Sequence, residues 1–207
     1  VAERALGLIR VDYEVLKPVL DVVAATEPDS PLLHDKLVTR TFGVSQAGRP
    51  SNVALHMLLT KGDPKEGFAQ AEVVVEREYR TTLVHQGYIE PQAATADWGA
   101  DGQLTVHATT QGAFDLRAQV AKQLGLPLTR VRVIPTEIGG AFGGKERSAI
   151  EVPAALLSRK CGRPVKIVMS RAEVLRATGP SPGACLKVKI GARSNGEITA
   201  AAADLYY

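Results

Sequence analysis

The sequence predicts an α+β (mixed α/β) fold in which mixed sheets are flanked by helices. Segments whose apolar side chains alternate every second residue are interspersed with segments whose apolar side chains recur at helical spacing, and turn-forming sequences separate the two kinds. No segment repeats another, which argues against a solenoid or a propeller. The 207 residues are enough for one large domain or two small domains, each with a buried core.

Three segments of different character follow one another along the chain. Residues 2–7 have the composition of a helix end, and residues 8–15 alternate as a strand that stops near Pro18. Residues 26–62 are rich in turn formers and weakly periodic, which predicts a linker or an irregular connection. A sharper pattern begins at Asp63. We therefore predict an N-terminal piece over residues 1–25, a connection over residues 26–62 and the main domain over residues 63–207.

The main domain contains the most regular elements. Asp63 followed by Pro64 predicts a helix start, residues 99–102 predict a hairpin turn, Gly125 predicts a helix end, and Ser170 predicts a helix cap. In chain order we predict a helix over 65–70, a strand over 72–80, a hairpin over 92–98 and 103–109, a helix over 114–124, a strand over 131–134, a helix over 148–160, a strand over 165–169, a helix over 171–177 and a hairpin over 184–193 and 197–206.

The composition excludes several classes of protein. The 25 Lys and Arg only slightly outnumber the 22 Asp and Glu and form no basic block, and aromatic residues make up 5% of the chain, so no nucleic-acid partner is expected. No apolar run is long enough to cross a membrane. Cys161 and Cys185 belong to no CxxC pattern, which argues against structural zinc or an iron–sulfur cluster and favours two reduced thiols in a cytoplasmic protein.

The two ends of the sequence are unusual for a complete protein. The first residue is Val1 rather than Met, and the last residues, 205–207, belong to a strand-like segment rich in β-formers. Such a strand normally pairs with a further strand. We therefore expect the chain to be a truncated piece of a longer subunit.

The densest local signal is the glycine loop, residues 138–146, with the sequence IGGAFGGKE. Four glycines within six residues are entropically costly, so such a loop usually exists where the backbone must approach something closely or adopt a positive φ. The loop lies between a predicted strand and a predicted helix, where backbone N–H groups can converge on an anionic ligand. A glycine-rich turn with no ligand remains an alternative.

A phosphate-binding P-loop is a second alternative for the same residues. Gly139, Gly144 and Lys145 fit the GxxxxGK pattern. The next residue should be Ser or Thr, whose hydroxyl holds magnesium, but it is Glu146, an acid where phosphate charge would lie. No apolar strand that ends in Asp follows to supply a second metal ligand. The sequence therefore disfavours a nucleotide-hydrolysing domain.

Two further motifs precede the glycine loop: HQGYIEPQ over residues 85–92 and TQGAF over residues 110–114. In this order and at this spacing, the three motifs resemble the molybdopterin-binding large subunits of the xanthine dehydrogenase, aldehyde oxidase and carbon monoxide dehydrogenase family. The resemblance runs from about Asp63 to the C-terminus. The first 25 residues look like the end of the a/b hammerhead domain that precedes the cofactor domain in this family. The resemblance therefore implies a partial molybdenum-cofactor-binding domain.

The resemblance assigns roles to residues of the second and third motifs. It implies that Gln111 approaches an oxygen ligand of the molybdenum, and that Gly140, Phe142 and Gly143 pass beside the cofactor. It also implies that Phe142 and Glu146 contact the substrate. A neutral amide suits the first role because it donates a hydrogen bond without displacing a metal ligand. No residue is expected to ligate the metal directly.

Blander interpretations of these residues remain open on the sequence alone. Gln111 could be a helix-cap or turn residue, Phe142 a core anchor, and Glu146 an N-terminal helix glutamate favoured by the helix dipole. His85 and Glu90 suggest a metal-ligand pair at first sight. Their spacing puts them on opposite sides of an extended segment, so we interpret both as structural residues.

The resemblance also implies an activity, cofactors and partners. The parent reaction is the hydroxylation of an N-heterocycle or an aldehyde-type substrate with oxygen from water, and an acid at Glu146 favours the heterocycle. The implied cofactors are molybdenum–molybdopterin, in its plain or cytosine dinucleotide form, with 2Fe–2S centres and FAD on partner subunits or domains of an oligomer. The catalytic residue, a general-base glutamate, is expected beyond residue 207, so the fragment alone should be inactive. A non-catalytic subunit-assembly module is the remaining alternative.

Overall fold

The computed structural model describes residues 1–41 and 48–207, and these residues form two compact units. The first unit consists of Val1–Thr81 together with Gly183–Tyr207, and the second unit is the continuous stretch Thr82–Pro182. Helices and sheets are mixed in the chain, as the predicted fold class requires. The division into segments 1–25, 26–62 and 63–207 stays a prediction, because compact units need not coincide with the domains that a family defines.

The first unit is built on a three-stranded antiparallel sheet of β3 (Val73–Thr81), β8 (Ala184–Ala192) and β9 (Ile198–Tyr206), in the order β3-β8-β9. The helix α2 (Pro64–Ala69) contacts β9. As predicted, the carboxylate of Asp63 caps α2 by accepting from the N–H groups of Lys65 (2.9 Å) and Glu66 (3.1 Å). A Cβ atom on Gly67 would lie 2.4 Å from the carbonyl oxygen of Thr199, so only glycine allows the close approach of α2.

The remaining described residues of the first unit, 1–41 and 48–62, are largely irregular. The helix α1 (Ala2–Leu6) confirms the predicted helix end, but residues 8–15 form no strand, and that prediction is wrong. The alternation there is real, yet no strand pairs with this segment in the described part of the chain, and its side chains are exposed. A short parallel pair, β1 (Arg40–Thr41) with β2 (Leu55–His56), is the strand pairing found between α1 and α2 in the described residues.

The second unit contains a four-stranded mixed sheet of β4 (Ala93–Trp98), β5 (Leu104–Ala108), β6 (Val131–Pro135) and β7 (Val165–Val168). The strand order is β6-β5-β4-β7. The strands β4 and β5 form the predicted hairpin, β7 pairs with β4 antiparallel, and β6 pairs with β5 parallel. Three helices accompany the sheet: α3 (Ala113–Leu124), α4 (Glu151–Cys161) and α5 (Arg171–Ala177).

The core of the second unit lies between this sheet and the helices α3 and α4. Leu104 and Val106 of β5 and Val120 of α3 are fully buried there. Ala154 and Ala155 of α4 are also fully buried, and their small side chains let the helix lie close to β4. Burial of such side chains supplies the main stabilisation of the unit.

Helix ends in the second unit follow the local sequence signals with one exception. Gly125 ends α3 in the left-handed conformation, and Ser170 forms a capping box with Glu173 at the start of α5, both as predicted. The helix predicted over residues 148–160 begins later, at Glu151. The buried carboxylate of Glu151 accepts from the N–H groups of Ala149 (2.7 Å) and Ile150 (3.1 Å), the two residues that precede the helix.

The described residues contain no membrane-spanning helix, no clustered metal ligands and no disulfide. None of their helices is long and apolar enough to cross a membrane. They contain no group of three or more His, Cys, Asp or Glu side chains placed to hold a metal ion. Cys161 is exposed, Cys185 is buried, and neither forms a disulfide.

Candidate functional site

The glycine loop follows β6 in the second unit and has an unusual backbone. Gly140 and Gly143 have φ values of 92° and 86°, and between them Phe142 has a φ of 50°. Phe142 is the one non-glycine residue with a positive φ in the described part of the chain, and this conformation costs about 1–2 kcal/mol. Its side chain is 73% exposed, so Phe142 is not a core anchor of this unit. A strained, exposed aromatic residue is typical of a functional loop.

The HQGYIEPQ motif lies directly against the glycine loop. Tyr88 is 1% exposed, and a Cβ atom on Gly144 would lie 2.6 Å from Cε1 of its ring. A Cβ atom on Gly139 would lie 2.8 Å from the Cβ of Glu90. Real Cβ atoms do not approach other atoms this closely, so two glycines of the loop are required by packing against this motif. Two motifs that are far apart in sequence therefore form one structure.

An ion pair anchors the C-terminal half of the glycine loop. The side chain of Lys145 is fully buried, and its Nζ lies 2.7 Å from Oε2 of Glu90 and 5.0 Å from the centre of the Tyr88 ring. The same carboxylate oxygen accepts from the N–H of Gly139 (2.8 Å). Burial alone would raise the pKa of Glu90, but the hydrogen bonds from Lys145 and Gly139, with the charge of Lys145, hold that pKa below its usual value.

The TQGAF motif contacts the other side of Lys145. The N–H of Gln111 donates to the carbonyl oxygen of Lys145 (3.1 Å), and the N–H of Lys145 donates to Oε1 of Gln111 (3.2 Å). The hydroxyl of Thr110 donates to the same carbonyl oxygen (3.3 Å). Since an N–H group can only donate, the amide oxygen of Gln111 must face the loop, which leaves its NH₂ group without a hydrogen-bond partner among the described residues. Gly112, not Gln111, is the N-cap of α3.

An open pocket of about 460 Å³ adjoins the point where the TQGAF motif meets the glycine loop. It brings together two of the predicted site residues, Gln111 and Glu146. Phe142 does not line this pocket, nor do Gly140 and Gly143, which belong to the bend of the loop. The residues that line the pocket are Gln111, Gly112, Asp115, Ala118, Gln119, Glu146 and Arg147.

Glu146 is exposed and precedes the first turn of α4, which begins at Glu151. The interpretation of Glu146 as an N-terminal helix glutamate is therefore wrong, and Glu151 has that position. The loop between the glycine motif and the helix separates the two residues. Glu146 is instead free to face the pocket.

His85 and Glu90 are structural residues, as predicted. The N–H of Gly87 donates to Nδ1 of His85 (3.0 Å), so Nε2 of the ring carries the proton and donates to the hydroxyl of Thr178 (3.2 Å). Tyr88 also contacts this hydroxyl, at 3.3 Å. The motif therefore ties the glycine loop to the end of α5.

Two residues of the site, Tyr88 and Gln119, were not predicted from the sequence, and neither was the burial of Lys145. The HQGYIEPQ motif contained the signal for Tyr88 and for the partner of Lys145, since it supplies an aromatic ring and one acid. Nothing in the sequence marks Gln119, because its two partners, the carbonyl oxygen of Glu146 and the N–H of Ser148, are main-chain groups from a distant loop.

The same geometry argues against a P-loop. A P-loop lysine must reach the phosphates of a bound nucleotide. Here Lys145 is buried and paired with Glu90, and the N–H groups before α4 are bonded to the carboxylate of Glu151. The lysine is therefore not available to a phosphate, and a carboxylate already occupies the two N–H groups that precede the helix.

Most of the chain matches a known protein family. A family described as "Molybdopterin cofactor-binding domain" matches residues 45–207. The chain therefore belongs to the molybdopterin-binding domains of the molybdenum hydroxylase family, as the three motifs predicted.

Individual relatives agree with this assignment. The chain is 34% identical to the probable hypoxanthine oxidase XdhD of Escherichia coli (strain K12), over 99% of the chain and 24% of that protein. It is 31% identical to the nicotinate dehydrogenase large molybdopterin subunit of Eubacterium barkeri, over 99% of the chain and 45% of that protein. The chain thus spans 24% and 45% of the length of these two relatives.

A solved structure has the same fold. The aldehyde oxidoreductase from Desulfovibrio gigas superposes with a TM-score of 0.82 at 25% sequence identity. The match covers 99% of this chain and 21% of that enzyme. The mixed helices and sheets of this chain are therefore those of the matching part of that aldehyde oxidoreductase.

Proposed function

We propose that the chain is part of a molybdenum-dependent oxidoreductase that hydroxylates an N-heterocycle or an aldehyde-type substrate with oxygen from water. The observation that carries the proposal is the contact between Gln111 and the glycine loop, which leaves the amide NH₂ group of Gln111 free. When bound, the molybdenum cofactor supplies the two-electron oxidation of the substrate C–H bond. The protein supplies binding, orientation and hydrogen bonds.

Gln111 is the proposed donor toward the cofactor. Its oxygen accepts from the N–H of Lys145, so the amide orientation is fixed and the side chain offers a bound group two N–H donors. Oxygen atoms around a molybdenum centre accept hydrogen bonds, and a neutral donor does not compete as a metal ligand. The donor set therefore fits the group.

Gly140, Phe142 and Gly143 are proposed to border the cofactor. A Cβ atom on Gly143 would meet no protein atom within 4 Å, so its φ of 86° accounts for the glycine, and the space beside it is open to a bound group. The exposed ring of Phe142 offers a flat apolar wall. Such a wall would exclude water from one side of a planar substrate.

Glu146 is the proposed substrate contact. Its exposed carboxylate lines the same pocket as Gln111 and can accept hydrogen bonds from ring N–H groups. Relatives named as a hypoxanthine oxidase and a nicotinate dehydrogenase act on nitrogen heterocycles by name, which supports a heterocycle over an aldehyde. The general base is proposed to be a glutamate outside these 207 residues.

The proposal extends to cofactors, partners and compartment. We propose molybdopterin in its plain or cytosine dinucleotide form, with 2Fe–2S centres and FAD on partner subunits or domains that carry electrons away. Relatives named as a large molybdopterin subunit and a large chain support an assembly of several subunits. The unpaired Cys161 and Cys185 support a reducing, cytoplasmic compartment.

One observation favours a second function, the docking of partner subunits. Every residue of β3 is exposed, including Val73, Val74 and Val75. A strand at a sheet edge with exposed apolar side chains is a common surface for protein association. This role is compatible with cofactor binding, and a docking module without cofactor is the alternative.

Molybdenum analysis of the complete enzyme, produced in a host that makes the cofactor, tests the proposal. We expect Gln111→Ala to lower the bound molybdenum or kcat/KM by about 10–100-fold, as is typical when a hydrogen bond beside a metal is lost. Gln103→Ala is the matched control, because Gln103 is an exposed residue of the β4–β5 turn. Equal molybdenum content and activity in Gln111→Ala and Gln103→Ala would contradict the proposal.

A further inference from the structure

Gln119 is a residue of α3, and its side chain is clamped to the loop that follows the glycine motif. Its Nε2 donates to the carbonyl oxygen of Glu146 (3.0 Å), and its Oε1 accepts from the N–H of Ser148 (3.0 Å). A carbonyl can only accept and an N–H can only donate, so the amide orientation is fixed by its partners. The side chain of Gln119 thus donates one hydrogen bond to the main chain of residues 146–148 and accepts one from it, as a paired β-strand does.

These bonds hold both peptide groups next to the Cα of Glu146. The preceding peptide group is held through the carbonyl oxygen of Lys145, which accepts from Gln111 and Thr110. The following peptide group is held through the carbonyl oxygen of Glu146, which accepts from Gln119. When both peptide groups are fixed, φ and ψ of the residue between them are fixed, and so is the direction of its Cα–Cβ bond.

The fixed backbone directs polar side chains toward one pocket. Glu146 and Arg147 both line the pocket that Gln111 and Gln119 also line. Neither the carboxylate of Glu146 nor the guanidinium of Arg147 has a hydrogen-bond or ion-pair partner among the described residues. The clamp therefore positions groups that are available to a ligand.

We propose that Gln119 is a positioning residue for substrate recognition, acting through Glu146 on nitrogen heterocycles. This inference rests on the proposed function, in which Glu146 contacts the substrate. Without the bond from Nε2, the peptide group between Glu146 and Arg147 can rotate, and the carboxylate loses its alignment with ring N–H groups. Gln119 does not touch the substrate in this scheme.

The experiment is a double-mutant cycle in the complete, cofactor-loaded enzyme, with hypoxanthine and nicotinate as probes. Gln119→Glu keeps the shape of the side chain and removes the donor to Glu146, and Gln119→Met removes both polar groups, should the first variant fail to fold. The matched control is Gln123→Glu, an exposed glutamine one turn further along α3. Dissociation constants, kcat, KM and molybdenum content are measured for each variant, for Glu146→Gln and for the double variant Gln119→Glu/Glu146→Gln.

We expect Gln119→Glu to weaken binding of the preferred probe about tenfold, the loss expected when a hydrogen bond to a charged group is misaligned. The effect should appear in KM and the dissociation constant, with kcat and molybdenum content changed less than about twofold. In the Glu146→Gln background, Gln119→Glu should cause no further loss, because residues that act through one another are not additive. Gln123→Glu should behave as the unchanged enzyme.

Three results would overturn the inference. Additive losses in the double variant would mean that Gln119 does not act through Glu146. Loss of molybdenum in Gln119→Glu would mean that it acts on the cofactor instead. Unchanged binding, or failure of both probes to bind, would remove the role altogether. The proposed function fails separately, when Gln111→Ala leaves molybdenum content and activity intact.

Discussion

At the scale of single residues, Lys145 links the three motifs. Its ammonium group pairs with Glu90 of the HQGYIEPQ motif, and its main chain pairs with Gln111 of the TQGAF motif. A fully buried ammonium is tolerated only with a partner, because its desolvation is costly. The buried ammonium of Lys145 therefore needs an acidic partner, which is Glu90. The carboxylate of Glu90 also accepts from the N–H of Gly139.

Removing either partner of this ion pair should destabilise the second unit, but not equally. Glu90→Gln leaves a charge on a side chain with no exposed surface, which should cost about 3 kcal/mol of unfolding free energy. Lys145→Met leaves a carboxylate that is 32% exposed and can recruit water, so the cost should be nearer to about 1 kcal/mol. Urea unfolding measures both values. A larger loss in Lys145→Met than in Glu90→Gln would contradict this asymmetry.

The lowered pKa of Glu90 predicts the pH dependence of stability. Because the folded-state pKa lies below the ordinary value of 4.5, the stabilising contribution is complete above that value and is lost as the pH falls through the folded-state pKa. Thermal unfolding followed downward from neutral pH should therefore show less loss in Glu90→Gln than in the unchanged protein. Identical acid profiles of the two proteins would show that the ion pair does not titrate in this way.

At the scale of elements, the glycine loop is shaped by what lies beneath it. The ring of Tyr88 is buried under Gly144, and Tyr88 in turn contacts Thr178 at the end of α5. Because the glycine loop packs on the buried, hydrogen-bonded Tyr88, Phe142 can be held at a positive φ. An isolated loop would not keep this conformation. The packing of Gly144 against Tyr88 thus offsets the backbone strain at Phe142.

Gly144→Ala should disturb this packing. The added Cβ atom would lie 2.6 Å from the Tyr88 ring and 3.0 Å from the carbonyl oxygen of Ala141, so the loop must move, at a cost of about 1–3 kcal/mol. We expect lower stability together with lower molybdenum content in the complete enzyme. Gly67→Ala, which clashes with the main chain of Thr199 in the first unit, is the control: it should lower stability and leave the molybdenum content per folded protein unchanged.

At the scale of the whole molecule, the residues of the candidate site all belong to the second unit. This unit is a continuous stretch with its own hydrophobic core, and Val84 pairs with Ser181 so that its two ends lie side by side. The first unit is assembled instead from two separate stretches of chain. A continuous stretch, its own core and adjacent ends are the features of a domain that folds independently.

Residues 82–182 produced alone should therefore fold. We expect a single cooperative urea transition, followed by circular dichroism, because the sheet, α3 and α4 supply a complete core. Glu90→Gln should lower its midpoint, as in the full chain. A gradual loss of signal without a cooperative transition would mean that this unit depends on its surroundings.

Much of the fold was predictable from local pattern. The hairpins, the Asp63 and Ser170 caps and the Gly125 helix end were confirmed, because each depends on residues only a few positions apart. The strand expected over residues 8–15 was wrong, because a strand needs a partner and a sequence pattern does not supply one. The roles of Gln111, Phe142 and Glu146 toward cofactor and substrate stay predictions.

The sequence by itself determined the family, through three motifs that occur in a fixed order, and it determined most element boundaries. Only the tertiary structure decided that Lys145 is buried against Glu90. It also decided that the amide oxygen of Gln111 faces the glycine loop, which leaves the NH₂ group free, and that Gln119 holds the backbone at Glu146. The physical reason is how far apart in the sequence the interacting residues lie. Caps and turns are set by bonds between near neighbours, whereas each of these contacts joins residues that are distant in the chain and meet only when the sheet, α3 and the glycine loop have packed together.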